Sequence, residues 1–333
     1  MKTRGGNIMK KFFIQTQIVM LFMLGMLMVP LTVNAANGPV GLQVSPAIIE
    51  INAEKGKTYD IKIKITNTTT SDQEYFANIN DFKAKDETGN PEFITDSKAP
   101  SSASIVQWIQ PIATLRLNPN QSKEIIAKMV VPANAEPGGH YGIIRFGNQP
   151  GTTGQVGASI AASTGPLVLV RVDGEVKESL TTADFYTQHK GKKQSFFEQG
   201  PVDFVERLTN NGNVHVKPKG DIVVTNMLGR QVGSVKVNDN NGNVLPSSTR
   251  RFEQRLENKW MFGKYTAKMT LSYGTAGGAL DAMTTFWVIP YKLIALAMLI
   301  IIFIIFVLRK AVSRYKKNII EKALKAKQKD QDL

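Results

Sequence analysis

Residues 287–308 are almost purely apolar, and the 16 residues 293–308 carry no charge. With the lead-in Trp287-Val-Ile-Pro-Tyr291 the run reaches roughly the 20 residues that span a bilayer core. Trp287 and Tyr291 stand at one end, where interfacial aromatics sit, and Arg309 and Lys310 follow at once at the other. A buried core helix is the competing reading. Such a helix is usually shorter, is broken by polar residues and does not run straight into a cationic segment. The pattern therefore predicts a transmembrane helix over 290–308 and a basic tail over 309–333.

The opposite end of the chain sets the direction of that span. Lys2, Arg4, Lys10 and Lys11 precede an apolar stretch at 18–31, and Val33-Asn34-Ala35 offers the small residues of a cleavage site. This is the grammar of an export signal at 1–35, with Ala36 a close alternative to Ala35 for the cut and Met9 an alternative start. Residues between signal and span are then exported and the basic tail stays inside.

The formal charge of +14 suggests a nucleic-acid partner only until it is mapped. Residues 1–35 hold four basic and no acidic side chains and residues 309–333 hold nine basic and three acidic, leaving 28 basic and 24 acidic elsewhere. The excess is topogenic, so no nucleic acid is expected. The tail can attract anionic lipid, and Val312, Tyr315, Ile319, Ala323 and Ala326 recur at helical spacing. With no cysteine in the chain, disulfides, thiolate metal sites, a thiol nucleophile and a lipidated cysteine are all excluded. The exported part must hold by core packing, and some 250 residues suffice for two domains that do so.

That part shows almost no helical periodicity. At 59–67, Tyr59, Ile61, Ile63 and Ile65 alternate with Asp60, Lys62 and Lys64, as in a half-buried antiparallel strand. Residues 124–131 repeat the pattern with Ile125, Ala127, Met129 and Val131 before Pro132 stops it. Further strands are expected at 42–51, 74–82, 104–109, 143–146 and 167–172. A second series is expected at 202–209, 214–217, 222–226, 231–237, 251–256, 265–273 and 283–289. Between strands, 210–213, 228–230 and 239–243 carry the Asn and Gly that tight β-turns need.

Ile65-Thr-Asn67 is echoed by Leu208-Thr-Asn210, and Gly139-His-Tyr141 by Gly263-Lys-Tyr265. A tyrosine just inside a late strand that ties its hydroxyl to the preceding corner is a device of immunoglobulin-like sandwiches, and Tyr141 and Tyr265 read as such corners. The fold class is thus all-β: two tandem immunoglobulin-like β-sandwiches at 36–174 and 175–289. The Gly/Ser/Thr-rich stretch 147–165 reads as a hairpin tip of the first.

Catalytic patterns are missing: no Gly-x-Ser-x-Gly, no phosphate-cradling glycine loop and no His-Glu-x-x-His. His140 in a turn, His189 in a loop and His215 in a strand read as surface or corner histidines. Asp81, Asp86 and Glu87 are the nearest approach to a carboxylate cluster and read as a solvated loop. Asp239-x-Asn241-x-Asn243 begins like a calcium loop, but Val244 stands where glycine is needed and Arg250 where glutamate is, so a hairpin turn is expected. Leu245-Pro-Ser-Ser-Thr249 lacks the closing glycine of a sortase signal. No enzyme, cofactor or metal is expected. Trp108 and the 147–165 tip are candidate sugar contacts, Trp108 with a core role as its stronger reading, and the ligand-binding residues stay unassigned.

Glu136-Pro-Gly-Gly-His-Tyr-Gly-Ile-Ile144, with Val44-Ser-Pro46, Thr66-Asn67, Asn118-Pro-Asn-Gln121 and Val131-Pro132, resembles bacterial surface proteins of the WxL-interacting type. That resemblance implies a peptidoglycan-binding immunoglobulin-like domain, a second partner-binding sandwich and a C-terminal membrane anchor with a cytoplasmic tail. The expectation is a membrane-anchored, single-pass cell-surface protein that binds cell-wall glycan, peptidoglycan or a partner surface protein. The alternative is a structural or assembly subunit of an envelope complex that pairs through its transmembrane helix and tail.

Overall fold

A computed structural model describes residues 41–94, 102–148 and 163–331. The export signal and most of the 147–165 tip lie outside the described residues.

The chain is built from strands followed by one long helix. The first series is β1 (Leu42–Ser45), β2 (Ile48–Ala53), β3 (Thr58–Asn67), β4 (Gln73–Ala84), β5 (Pro91–Ile94), β6 (Leu115–Leu117), β7 (Ser122–Val130), β8 (Gly138–Gly147), β9 (Ser163–Thr164) and β10 (Leu167–Val172). It forms a sheet β1-β3-β7 and a larger one β2-β10-β8-β4-β5, in which β6 also pairs β4 and β9 pairs β8. The alternation of β3 and β7 sets their register, Ile61 opposite Ala127 and Ile63 opposite Ile125. Their inward faces meet Ile144, Phe146, Val168 and Val170 of the second sheet in one core. Trp108 belongs to that core.

The second series is β11 (Leu180–His189), β12 (Lys192–Lys193), β13 (Phe196–Phe197), β14 (Val202–Asn210), β15 (Lys219–Asn226), β16 (Gln231–Val237), β17 (Thr249–Leu256), β18 (Gly263–Tyr273) and β19 (Gly278–Val288). Its sheets run β12-β11-β14-β17 and β13-β19-β18-β15-β16 around a separate core that includes Phe204, Leu208, Ile222, Met269 and Phe286. The helix α1 (Tyr291–Gln331) follows. Its Tyr291–Glu321 portion is long and apolar enough to cross a membrane, and among the described residues none buries its apolar window.

Several expected elements are corrected. The single strand expected at 42–51 is two, β1 and β2, in different sheets; the break falls at Pro46, which has no amide hydrogen for a ladder. The strand expected at 104–109 is a 3-10 turn at Val106–Trp108. Ser104 Oγ donates to Asp81 at 2.5 Å and accepts from Val106 N at 3.1 Å, which starts a turn in place of a strand. Residues 214–217 form a loop with one bridge, Val216 to Val244. The ten-residue β11 was not foreseen, because a bulge between Thr182 and Asp184 shifts its register and hides the period of two. The turns at 210–213 and 239–243 cross from one sheet to the other, since β14 and β15, and β16 and β17, belong to different sheets. Only 228–230 closes a hairpin, joining the paired strands β15 and β16.

The echoed asparagines have one explanation. Asn67 and Asn210 are both fully buried at strand ends. Asn67 Nδ2 donates to the carbonyls of Ser71, Leu117 and Asn118 at 2.8, 3.1 and 3.0 Å. Asn210 Nδ2 donates to Val214 O and Val244 O, both at 2.8 Å. Each side-chain amide donates to backbone carbonyls of nearby loops and so ties those loops to the end of its strand.

Candidate functional site

Strand β8 is buried along almost its whole length, which a strand achieves only when both faces of its sheet are covered. One face packs in the first core. On the other, Tyr141 and Ile143 join Phe82 and Leu169 in a cluster capped by Leu245 from the β16–β17 crossover. The two sheet pairs therefore meet on this face, and residues 42–333 form one unit.

The joint is polar as well as apolar. Tyr141 Oη accepts from His215 N at 2.9 Å and lies 3.3 Å from His215 Nδ1. Burial pushes His215 down to about 4, although Glu50 opposes this, and the neutral ring leaves Nδ1 free to accept. Burial likewise raises the Tyr141 hydroxyl. Gly139 N donates to Asn213 O at 2.7 Å, and a side chain at Gly139 would collide with the Tyr141 hydroxyl. Glu87, at the β4–β5 turn, takes both guanidinium contacts of Arg207, and its backbone carbonyl accepts from Arg251 N at 2.6 Å. The Arg207 bonds hold the Glu87 carboxyl below its ordinary range. Glu50 accepts from Lys217 at 2.6 Å and Asn243 at 2.8 Å. Burial opposes ionisation of Glu50, but these donors together outweigh it and lower its pKa. Arg171 pairs with Glu178, which accepts from Thr275 N at 2.8 Å.

Tyr265 behaves as expected of a corner: its hydroxyl accepts from Phe262 N at 2.9 Å and donates to Phe262 O at 3.2 Å. Tyr141 does not. Its hydroxyl reaches a residue 74 positions away, so the corner reading is corrected: the hydroxyl meets the His215 backbone and ring across the joint instead of its own corner. Tyr141→Phe is expected to leave the part-buried His215 amide without its acceptor, at about 1 kcal/mol. Faster hydrogen exchange at His215 and through residues 173–179, with both cores still protected, would register it.

Beside the joint lies a cleft of about 210 Å³ lined by Ile48, Phe82, Leu167, Leu169 and Leu245 on its apolar side and by Asp86, Asn243 and Arg250 on its polar side. Arg250 is the unusual member. Its half-buried guanidinium packs against Gly89 and Gly242, stands 5.2 Å from the Phe252 ring centroid and donates to Asn243 O at 2.8 Å. Among the described residues it has no carboxylate partner, and its Nε is buried without an acceptor, as Asn243 Oδ1 is buried without a donor. Burial lowers its pKa, yet a guanidinium keeps its charge in any protein. The cleft thus joins an apolar floor to an uncompensated cation. A second depression of about 570 Å³ is lined by Tyr141, Glu136, His140 and Asn213 among others.

The remaining sequence candidates fall as follows. Trp108 is buried and lies 4.5 Å from the ring of His140, so it offers no sugar-stacking face. His140 is a buried strand residue rather than a turn or surface one, with Nε2 2.8 Å from Glu136 O. His215 lies in a loop rather than a strand, and His189 ends β11. Asp81, Asp86 and Glu87 do not make a solvated cluster: Asp81 is buried on Ser104, Asp86 turns onto Thr88 and Glu87 bolts the joint. Asn241 within the 239–243 segment and Asn238 just before it take positive φ, and Asn243 turns to Glu50. Arg250 was missed, although the alternation Arg250, Phe252, Leu256 already placed a cation on an inward-facing parity.

No protein-family model matches the chain and no curated protein matches it. Among solved structures it is similar to a chaperone-tip adhesin complex of CFA/I fimbriae biogenesis, at 15% identity and TM-score 0.36 over 74% of this chain and 98% of that one. The class 5 fimbriae chaperone CfaA is similar at 13% identity and TM-score 0.36, over 74% and 98%. A CsuC-CsuE chaperone-tip subunit complex from Acinetobacter baumannii gives 11% and 0.35, over 72% and 97%. Likenesses at these scores carry no argument about activity.

Proposed function

We propose that this chain is a non-catalytic binding protein that the C-terminal helix anchors in a bacterial membrane. The helix holds two immunoglobulin-like sandwiches, at 36–174 and 175–289, outside the membrane, with the basic tail in the cytoplasm. The partner is a surface protein of the same envelope, as in the WxL-interacting type that the sequence resembles, and it enters the cleft by an extended segment bearing a carboxylate. The observation that carries this reading is Arg250: a half-buried guanidinium without a carboxylate, beside an apolar floor. Leaving a buried charge unpaired costs several kcal/mol, and a ligand carboxylate would recover part of that cost through a charge-assisted hydrogen bond. The bolted joint supports the reading further, because a cleft whose walls are already fixed loses little entropy on binding.

The test is capture from envelope extract and on purified sacculi by the full-length protein in detergent. Wild-type protein is expected to retain an envelope protein, and Arg250→Ala to weaken that retention by about 2–5 kcal/mol. Arg250→Lys should recover only part, because it loses the planar fork. Retention on sacculi alone, unaffected at Arg250, would overturn the protein-partner reading.

A further inference from the structure

Among the described residues, seven large apolar side chains of the second sheet pair are exposed, and all but Met283 share one end of it. In the sheet β13-β19-β18-β15-β16, Val288 pairs with Gly263 and Asn226 with Tyr265. The end of β19, the loop before β18 and the β15–β16 turn therefore lie side by side, with neighbouring strands about 4.8 Å apart. Helix α1 begins at Tyr291, three residues past the end of β19, so the start of the span is at most about 11 Å of extended chain from this rim.

At the rim, Trp260 is 92% exposed, Leu228 86%, Phe262 65%, Phe196 65% and Met227 62%. They stand on firm supports. Met261 is buried in the core between Trp260 and Phe262, and the Tyr265 hydroxyl grips Phe262 on both backbone groups. Asn226 Oδ1 accepts from Leu228 N and Arg230 N, each at 3.0 Å, which fixes the turn that carries Leu228. Phe196 stacks on Trp287 at 6.5 Å. The start of the helix is tied in as well: Ile289 N donates to Phe197 O at 2.8 Å, and Lys292 pairs with Glu198 at 2.7 Å. Arg230, Lys259 and Lys264 lie in the same segments.

We infer that this rim is a membrane-contact surface: Trp260, Phe262, Met227 and Leu228 enter the interfacial zone of the outer leaflet and seat the second sheet pair on the bilayer. The inference rests on the membrane-anchor reading and goes beyond it. An anchor alone lets the exported part swing, whereas a seated rim fixes its height and tilt and so the direction in which the cleft opens. The lipid surface is the favoured occupant because the rim is continuous with the start of the span. Tryptophan with flanking Lys and Arg is also the side-chain set that settles at the boundary between headgroups and acyl chains.

The chain has no cysteine, so one introduced cysteine is a unique label site. Leu228→Cys, Trp260→Cys, Ala276→Cys and Leu299→Cys are each made in the full-length protein, tagged with a polarity-sensitive fluorophore and reconstituted in phosphatidylglycerol/phosphatidylcholine nanodiscs. Ala276 lies in the turn at the opposite end of the same strands, and Leu299 in the span. Labels at 228 and 260 are expected to shift blue and to lose intensity to lipids carrying a quencher near the headgroup. The label at 276 should do neither, and that at 299 should be quenched by a deep acyl-chain quencher. A quenched 299 with 228 and 260 behaving like 276 overturns the inference and leaves the anchor standing; an unquenched 299 overturns the anchor and the inference with it. Energy transfer between rim labels on two copies, without lipid quenching, would make the occupant a second copy and also overturn it.

Discussion

Glu206→Gln is expected to abolish a loss of stability with rising pH that the unmodified chain shows. Glu206 is fully buried in β14 with Phe185 and Phe252 opposite it on the neighbouring strands, and both carboxyl oxygens lack partners. Burial, with a smaller contribution from the Glu253 charge, pushes its pKa up from 4.5 to about 8. The folded chain therefore holds a proton that the unfolded chain releases above pH 4.5. The stability that this one group contributes is fully present below that pH, falls through the window up to about 8 and is gone above it. At about 1.4 kcal/mol per unit the whole loss is about 4–5 kcal/mol. Denaturation of the full-length protein in detergent at pH 4.5, 7 and 9 would measure it as the stability of Glu206→Gln minus that of the unmodified chain, a difference in which the opposite pH dependence of the buried His215 ring cancels; the difference should grow in favour of Glu206→Gln by that amount between pH 4.5 and 9. Parallel curves for the two proteins would show that the carboxyl is hydrated and ordinary.

Asn67→Ala is expected to destabilise the first sheet pair by about 1–3 kcal/mol, because Leu117 O, the buried one of the three acceptors, loses its side-chain donor. The Asn67 side chain also accepts from Thr69 N at 2.9 Å and from Tyr75 Oη at 3.1 Å. Asn67→Asp keeps these acceptor contacts and loses the three donations to carbonyls, so it separates the two roles. If donation dominates, the aspartate variant falls nearly as far as the alanine; if it stays near wild type, the loop carbonyls find water instead. Asn210→Ala should show the same ordering in the second sheet pair.

Particular residues show how far the fold could be read in advance. Ile61, Ile63 and Ile65 alternate with charged neighbours, so a strand with one wet face was legible, and so was the matching run at 124–131, whereas their pairing came only with the structure. The short turn after β15 was legible for the same local reason. Residues 210–213 and 239–243 carry the same turn residues but lead to another sheet. Nothing local separates a turn that returns to its own ladder from one that crosses the sandwich. Ser104 and the bulge at Thr182 work against the pattern, one by capping a turn and one by slipping the register.

The candidate site was less legible still. Glu206 and Arg250 each occupy an inward parity beside phenylalanines, and that anomaly stood in the sequence. Its meaning did not, because Glu206 meets no partner in a core while Arg250 reaches a cleft. Tyr141 and Tyr265 sit in matching sequence contexts, yet one hydroxyl closes its own corner and the other crosses to His215.

The sequence by itself determined the apolar C-terminal helix, the predominance of strands and the pairs of positions that repeat between the two halves. These depend on local period and composition, which act within a few residues. The tertiary structure alone decided which strands share a sheet, how Glu50, Glu87 and Tyr141 bolt one half to the other, and which exposed side chains gather beside the helix. Those outcomes depend on contacts between residues up to 193 positions apart, as from Glu50 to Asn243, and their free energy exists only once both ends have been brought together.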